Sequence, residues 1–254
     1  MIMLKAGAAQ IDISPKDSQF LFGYPHVKRY STGIHDNLWS SALYLSDGKA
    51  MIMFIANDII FVSKHSAATV RKRIEDKTGI PSQNIMITAT HTHSGPMTLD
   101  YISNRNDPEV PKTDVNYVRF MEDSMVQAAE KAFHEAQEAK VGLSIADDTG
   151  VGTNRRNPGG PADHQVPVLL VKNARTDAHI ACMLVCSMHP TVLHEDSTLI
   201  SGDFPGMARL YLQNYILGEN CPVLHHTGPS GNQSPRHVTR ANTFEEAERL
   251  GNIL

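Results

Sequence analysis

The chain has 254 residues, 41% of them hydrophobic and 20% charged, an ordinary globular composition rather than a disordered or fibrous one. Its 23 basic residues against 27 acidic ones leave a net charge of -4, so there is no basic field to hold nucleic acid or an anionic membrane. No apolar run approaches the ~18–20 residues of a transmembrane segment, and the N-terminus, with one lysine and a short apolar stretch, does not read as a signal peptide. The expectation is a cytoplasmic protein as written, or a secreted one whose leader was removed.

Strand-like runs at 38–45 and 50–57 flank Ser46-Asp47-Gly48-Lys49, and Asp-Gly between two such runs signals a hairpin. Residues 63–77 predict a helix with Ser63 as its N-cap and Gly79 past its end. A short apolar strand follows at 84–89. The longest helix is expected over 114–139, where Val118, Met121, Met125, Ala128, Ala132 and Ala136 recur at spacings of three and four. A strand at 141–145 comes next. Runs at 166–171 and 180–187 pair through Asn173-Ala174-Arg175-Thr176-Asp177 as a second hairpin. Asp203 suits the N-cap, and Pro205 the first turn, of a helix running to residue 217. A short strand is expected at 221–224. Thr243-Phe244-Glu245-Glu246 reads as a capping box opening a final helix that runs to Leu254 with nothing to stop it. Helices mixed with strands, some of them in hairpins, predict an α/β fold: a mixed sheet with flanking helices and β-hairpins. Residues 1–254 are expected to form one catalytic domain, the N-terminal part of a larger one with its C-terminal residues missing.

Three cysteines are too few for a disulfide scaffold. Cys182 and Cys186, four strand residues apart, are separated by about 13 Å and read as buried thiols. The 11 methionines read as core filler. Histidine is the unusual count, 13 residues with several close together.

Reactive residues follow four apolar runs: Asn57-Asp58, Thr90-His91-Thr92-His93-Ser94-Gly95-Pro96, His189-Pro190-Thr191, and the segment from His225 to Pro235. In open α/β sheets ligands bind beyond strand carboxyl ends. His91 and His93, two apart in an extended segment, face one side about 6.6 Å apart. Both can ligate a metal, or one can ligate while the other acts as acid or base; the bland reading is two exposed loop histidines. His189, held extended by Pro190, would with His91 supply two nitrogen ligands of a zinc site, which takes three or four protein ligands. Ser234 sits in Gly231-Asn232-Gln233-Ser234-Pro235, either a surface loop or a turn whose N–H groups receive an oxyanion. It lacks the second glycine of a nucleophile elbow. Arg155 is either solvated or clamps a substrate oxygen. Of the neighbours His225 and His226, at most one can enter any site, because adjacent strand residues face opposite sides.

Taken together the segments resemble the neutral/alkaline ceramidase family. The residues that carry the resemblance are Ala6-Gly7-Ala8-Ala9-Gln10-Ile11-Asp12-Ile13-Ser14-Pro15, Gly33-Ile34-His35-Asp36, the segment from Thr90 to Pro96, Asn154-Arg155, His189-Pro190-Thr191, Ile200-Ser201-Gly202-Asp203-Phe204-Pro205-Gly206 and Gly231-Asn232-Gln233-Ser234-Pro235-Arg236. The sequence departs from the family's pattern at Met97-Thr98 and at Asn232. The resemblance implies a zinc-dependent hydrolase of linear amides, acting on an N-acyl-sphingosine or another N-acyl amine, with a metal-activated water attacking the amide carbonyl. It implies Zn²⁺ ligation by His91 and His189, with a Glu and a Tyr further along the chain as the remaining ligands. It implies His93 as proton carrier, Arg155 as a substrate-positioning residue and Ser234 as an essential serine. Two other readings stand beside it: a metal-independent serine amidase or esterase using Ser234, and a non-catalytic binding homologue. The expected partner is a small-molecule or lipid amide, not nucleic acid.

Overall fold

The structure, a computed structural model, describes residues 4–254. In chain order its elements are β1 (Lys5–Asp12), β2 (Gly33–Ile34), β3 (Trp39–Ser46), β4 (Met51–Asn57), α1 (Lys64–Thr78), β5 (Ile85–Ala89), α2 (Val115–His134) and β6 (Gln137–Asp147). There follow β7 (Thr153–Asn154), β8 (Gln165–Asn173), β9 (His179–Cys186), β10 (Leu199–Ile200), α3 (Asp203–Leu212), β11 (Val223–Thr227), β12 (Gln233–Ser234) and α4 (Phe244–Gly251). Eight strands form one mixed sheet in the order β11-β9-β8-β6-β1-β3-β4-β5. Both expected hairpins are present, β3 with β4 and β8 with β9. The α/β mixed sheet with flanking helices is as the sequence led one to expect.

Among the described residues the sheet is joined at its middle by two residue pairs, Lys5 opposite Glu138 and Ala6 opposite Gln137, and by the Ala139 N–H on the Leu4 carbonyl. There it folds over on itself. One half (β1, β3, β4, β5) and the other (β6, β8, β9, β11) meet through a core of small and aliphatic side chains, among them Ala6, Leu43, Ala56, Ala139, Ala181 and Leu224. The outer face of the first half is covered by α1 and α2, through Val70, Ile74, Met121, Met125 and Ala129. The outer face of the second half is covered by α3 and α4, through Phe204, Met207, Ala247 and Leu250. The result is four layers, helix–sheet–sheet–helix, each strand alternating its side chains between an inner and an outer core.

The edges of the two halves also meet. Thr227 donates its hydroxyl to the Thr90 carbonyl at 2.6 Å, and Thr88 Oγ1 lies 2.7 Å from His226 Nδ1. Because β4 runs parallel to β5 and β9 parallel to β11, and β5 lies alongside β11 in the same sense, all four strands deliver their carboxyl ends to one end of the molecule. Helix α3 is tied to that end by a buried ion pair, Arg209 to Asp58 at 2.6 Å, with Asp58 also accepting from the Trp39 N–H.

Several expectations need correcting. The run at 5–12, assigned no element from the sequence, is a strand: β1 carries the small residues Ala6-Gly7-Ala8-Ala9, and a Cβ on Gly7 would clash with the Ala132 carbonyl oxygen. The glycine therefore lets α2 lie against the sheet. The longest helix ends at His134 rather than 139, because Gln137 to Ala139 pair as strand β6 with β1 and β8. The strand expected at 221–224 is β11, carried on to Thr227 by parallel pairing with β9. The helix expected to reach 217 is α-helical to Leu212 and then widens into a π-turn. The last helix does not run on to Leu254: it ends at Gly251 with Asn252 as its C-cap. The caps at Ser63, Gly79 and Thr243 are as expected. All three cysteines are free and buried, and burial pushes the Cys182 thiol up to about 11.

His225 and His226 point to opposite faces of β11, His225 outward onto Phe204 and His226 inward toward Phe54. Neither nitrogen of His225 has a protein partner, and burial lowers its pKa to about 3. The unfolded chain takes up a proton there below about pH 6.5 and the folded one does not, so stability falls as pH drops, by about 2 kcal/mol at pH 5 from this residue. His225→Phe, which keeps the contact with Phe204, is expected to narrow the difference between urea midpoints at pH 7 and pH 5; an undiminished difference would refute the assignment.

Candidate metal centre

The carboxyl ends of β5 and β9 bring three imidazoles together. The ligand atoms of His91, His93 and His189 all lie within 4.8 Å of one another, the only such grouping of potential metal ligands among the described residues. The rings stand nearly perpendicular in pairs, their centroids 4.4 to 5.2 Å apart.

The local backbone is not the extended segment expected. Strand β5 stops at Ala89, and His91 takes a left-handed conformation with φ of 67°. A non-glycine residue held there is strained, and the strain is supported by fixed contacts. The His91 N–H donates to the Ile59 carbonyl at 2.9 Å, and the Thr92 hydroxyl to the Ser201 carbonyl at 2.7 Å. His189 is pinned by its own N–H, which donates to the Gln233 carbonyl at 3.0 Å.

Tautomers follow from the partners. His91 Nδ1 lies 2.9 Å from the Ile60 carbonyl oxygen, so it carries the proton and donates. His189 Nδ1 lies 3.4 Å from the Ser230 carbonyl oxygen and donates likewise. In both rings the Nε2 lone pair is left facing the centre. His93 Nε2, 3.1 Å from His189 Nε2, then supplies the proton of that contact, while its buried Nδ1 has no partner. A carbonyl on the far nitrogen is the arrangement that orients metal-bound histidine. Burial lowers the proton affinity of all three rings, with the other imidazoles and Arg155 adding to it at His93 and His189; His189 is held down at about 4. Neutral imidazoles with free lone pairs are the ligating form and suit zinc. The donor set therefore fits the ion that the sequence suggests.

Around this centre stand the other expected residues. Arg155 is half-buried and its main-chain N–H donates to the Asn232 carbonyl at 2.8 Å; its charge reaches all three histidines. Ser234 is buried in β12, paired with Thr153 of β7, and its hydroxyl accepts from the Arg236 N–H at 3.3 Å. It is not an exposed loop serine, and Gln233 beside it holds His189. His225 and His226 stay out of the cluster. Phe61 meets the edge of His91 at 5.1 Å and stacks on Tyr101 at 5.4 Å, giving the site an aromatic flank with Tyr101 44% exposed.

Asp203 is not the helix N-cap its position suggests. It has φ of 56°, and its buried carboxylate accepts from the N–H groups of Val192 and Leu193, both at 3.0 Å, and of Phe204. It thus clamps the chain that follows His189 onto the start of α3. Burial raises its pKa to about 6 against the pull of those donors. Sequence reasoning also passed over Arg29 and Tyr24, which lie behind His93 and whose neighbourhood reads as an ordinary exposed loop.

Residues 4–225 match the family model described as neutral/alkaline non-lysosomal ceramidase, N-terminal. The chain is 27% identical over 236 residues to the neutral ceramidase of Mycobacterium tuberculosis, covering 85% of this chain and 37% of that protein. It is 26% identical over 95 residues to the neutral ceramidase of Pseudomonas aeruginosa, covering 35% of this chain and 14% of that protein. All of it superposes on 44% of the crystal structure of the Pseudomonas aeruginosa enzyme with a TM-score of 0.87 at 20% identity. It superposes equally on 43% of a ceramidase solved as a complex with C2, with a TM-score of 0.85 at 19% identity. The chain spans less than half the length of each of these relatives.

Replacing Asp203 by Asn keeps a residue that tolerates the left-handed backbone but turns an NH₂ group toward N–H donors, either that of Phe204 or those of Val192 and Leu193. The expected cost is about 2–4 kcal/mol, read from the urea midpoint; an unchanged midpoint would contradict the clamp.

Proposed function

Because this chain belongs to the neutral/alkaline non-lysosomal ceramidase family, we propose that it hydrolyses a linear amide, an N-acyl-sphingosine or another N-acyl amine, at a zinc ion held by His91 and His189. The observation that carries this reading is the cluster of three imidazoles with ligand atoms within 4.8 Å of one another, in which the Ile60 and Ser230 carbonyls hold the proton on Nδ1 of His91 and His189 and leave Nε2 of each to ligate. When bound there, zinc supplies a Lewis acid that makes water reactive near neutral pH and polarises the amide carbonyl.

The remaining steps fall to the chain's own side chains. Once His189 Nε2 is engaged, His93 is released from the contact between the two rings and stands free beside the reacting atoms. With that contact gone, the His93 proton moves to Nδ1, and Nε2 takes up the proton that the attacking water releases and returns it to the nitrogen as the carbon–nitrogen bond breaks, leaving a carboxylate and an amine. Arg155 supplies a fixed positive charge for the developing oxyanion. Ser234 binds substrate rather than attacking it, since its hydroxyl accepts from the Arg236 N–H and meets no imidazole among the described residues that would activate it. The apolar arm of the substrate lies along Phe61 and Tyr101, which favours a lipid amide over a polar one. No helix among the described residues is long and apolar enough to cross a membrane.

His91→Ala and His189→Ala are expected to lose zinc and amide hydrolysis together. His93→Gln should retain zinc while turnover falls by about 100-fold or more. Full zinc occupancy in both alanine variants would overturn the ligand assignment. Hydrolysis that survives complete metal removal would favour the serine route through Ser234. Zinc binding without turnover of any N-acyl amine would favour a binding protein.

A further inference from the structure

Arg29 is buried almost completely, at 1% exposure, yet no carboxylate meets it. Its guanidinium donates to three main-chain carbonyls: those of His93, His194 at 3.0 Å and Ser197 at 2.9 Å. It also lies 5.3 Å from the ring of Tyr24. That ring meets the His93 imidazole edge-on at 5.2 Å, and its hydroxyl donates to the Leu193 carbonyl at 3.1 Å. The segment carrying both residues is pressed onto His93: a Cβ on Gly23 would fall 2.2 Å from His93 Cβ and 2.4 Å from its carbonyl oxygen.

A buried cation with no directly paired carboxylate is costly; here three fixed dipoles hold it, with the Tyr24 ring and the more distant charges of Glu195 and Asp196 in support. Those dipoles belong to two stretches of chain that leave different strands. His93 follows β5, whereas residues 194–197 follow His189 beyond β9. A planar fork spans both, which a point charge on a flexible stem does not. We infer that Arg29 is a positioning residue: it fastens the backbone of His93 to the chain that follows His189 and thereby sets how closely the two rings approach. The inference rests on the three histidines being the functional site, but the arrangement itself is readable without metal or substrate.

Arg29→Lys keeps the charge and loses the fork. Ring nitrogens of the metal-free chain, labelled with ¹⁵N-histidine, report the contact directly. In Arg29→Lys the His93 and His189 ring resonances are expected to move as their contact opens. Those of His225, in the core, and of His179, bonded to the Leu217 carbonyl at the far end of β9, should stay in place. In Arg29→Ala, added ethylguanidinium should return the His93 resonances toward their original positions; if that variant does not fold, Arg29→Lys carries the test. Unmoved His93 and His189 resonances would overturn the inference, and so would shifts spread equally to His179 and His225, which indicate a loosened fold. With zinc bound, Arg29→Lys should lower turnover by about tenfold or more with KM little changed. A wild-type chain that hydrolyses no amide refutes the proposed function, while the ring spectra still decide the role of Arg29.

Discussion

The structure depends on the closure between its two sheet edges. The Thr227 hydroxyl on the Thr90 carbonyl, and Thr88 against His226, hold β5 and β11 side by side although no backbone ladder joins them. That closure makes β4, β5, β9 and β11 end together, so residues almost a hundred positions apart in sequence meet in one cluster. A flat sheet of the same order would place β5 and β9 seven and one positions from the β11 edge, with their loops too far apart to share an ion. The small residues of the inner core permit the fold-over, and Gly7 permits α2 to cover it.

Given that convergence, the electrostatics follow. Three imidazoles brought into a poorly solvated place repel protons from one another, and burial is the largest cause at each. Carbonyls on the Nδ1 atoms of His91 and His189 choose the tautomer and leave Nε2 of each unprotonated, that of His189 accepting from His93. Of the three non-glycine residues with left-handed backbones among the described residues, Asp177 turns the β8–β9 hairpin, while His91 lies in the centre and Asp203 clamps the chain that follows His189. Strain concentrated there, and supported by Ile59, Val192 and Leu193, marks a geometry held in place by its surroundings rather than by local preference.

The sequence discloses the parts better than their arrangement. The Asp47-Gly48 hairpin, the Ser63 cap and the histidine-bearing segments follow from local chemistry and are found where expected. Apolar spacing carried the long helix past its end, because Ala136 keeps the helical period while the next residues pair as β6; tertiary pairing outweighs periodicity there. Strand β1 was passed over because alanine and glycine carry no strand signature, although that smallness is what its place beneath α2 requires. His91 and His93 come together with His189 on a backbone other than the one expected: the spacing predicts an extended segment, and a left-handed turn is found at His91. Arg29 could not be found by pattern, since Lys28-Arg29-Tyr30 reads as solvated surface and only the folded chain shows the guanidinium inside. The family resemblance, carried by motifs spread along most of the chain, supplied what local pattern could not: that these separate segments belong to one site.

The central claim is that His91 and His189 present two lone pairs to one zinc ion, with His93 beside it. Anomalous diffraction from crystals of the zinc-loaded chain, recorded on both sides of the zinc absorption edge, tests it most directly. The account requires one strong peak about 2.0–2.1 Å from Nε2 of both His91 and His189. A peak bound through Nδ1, a peak elsewhere in the molecule, or no peak at saturating zinc would contradict it.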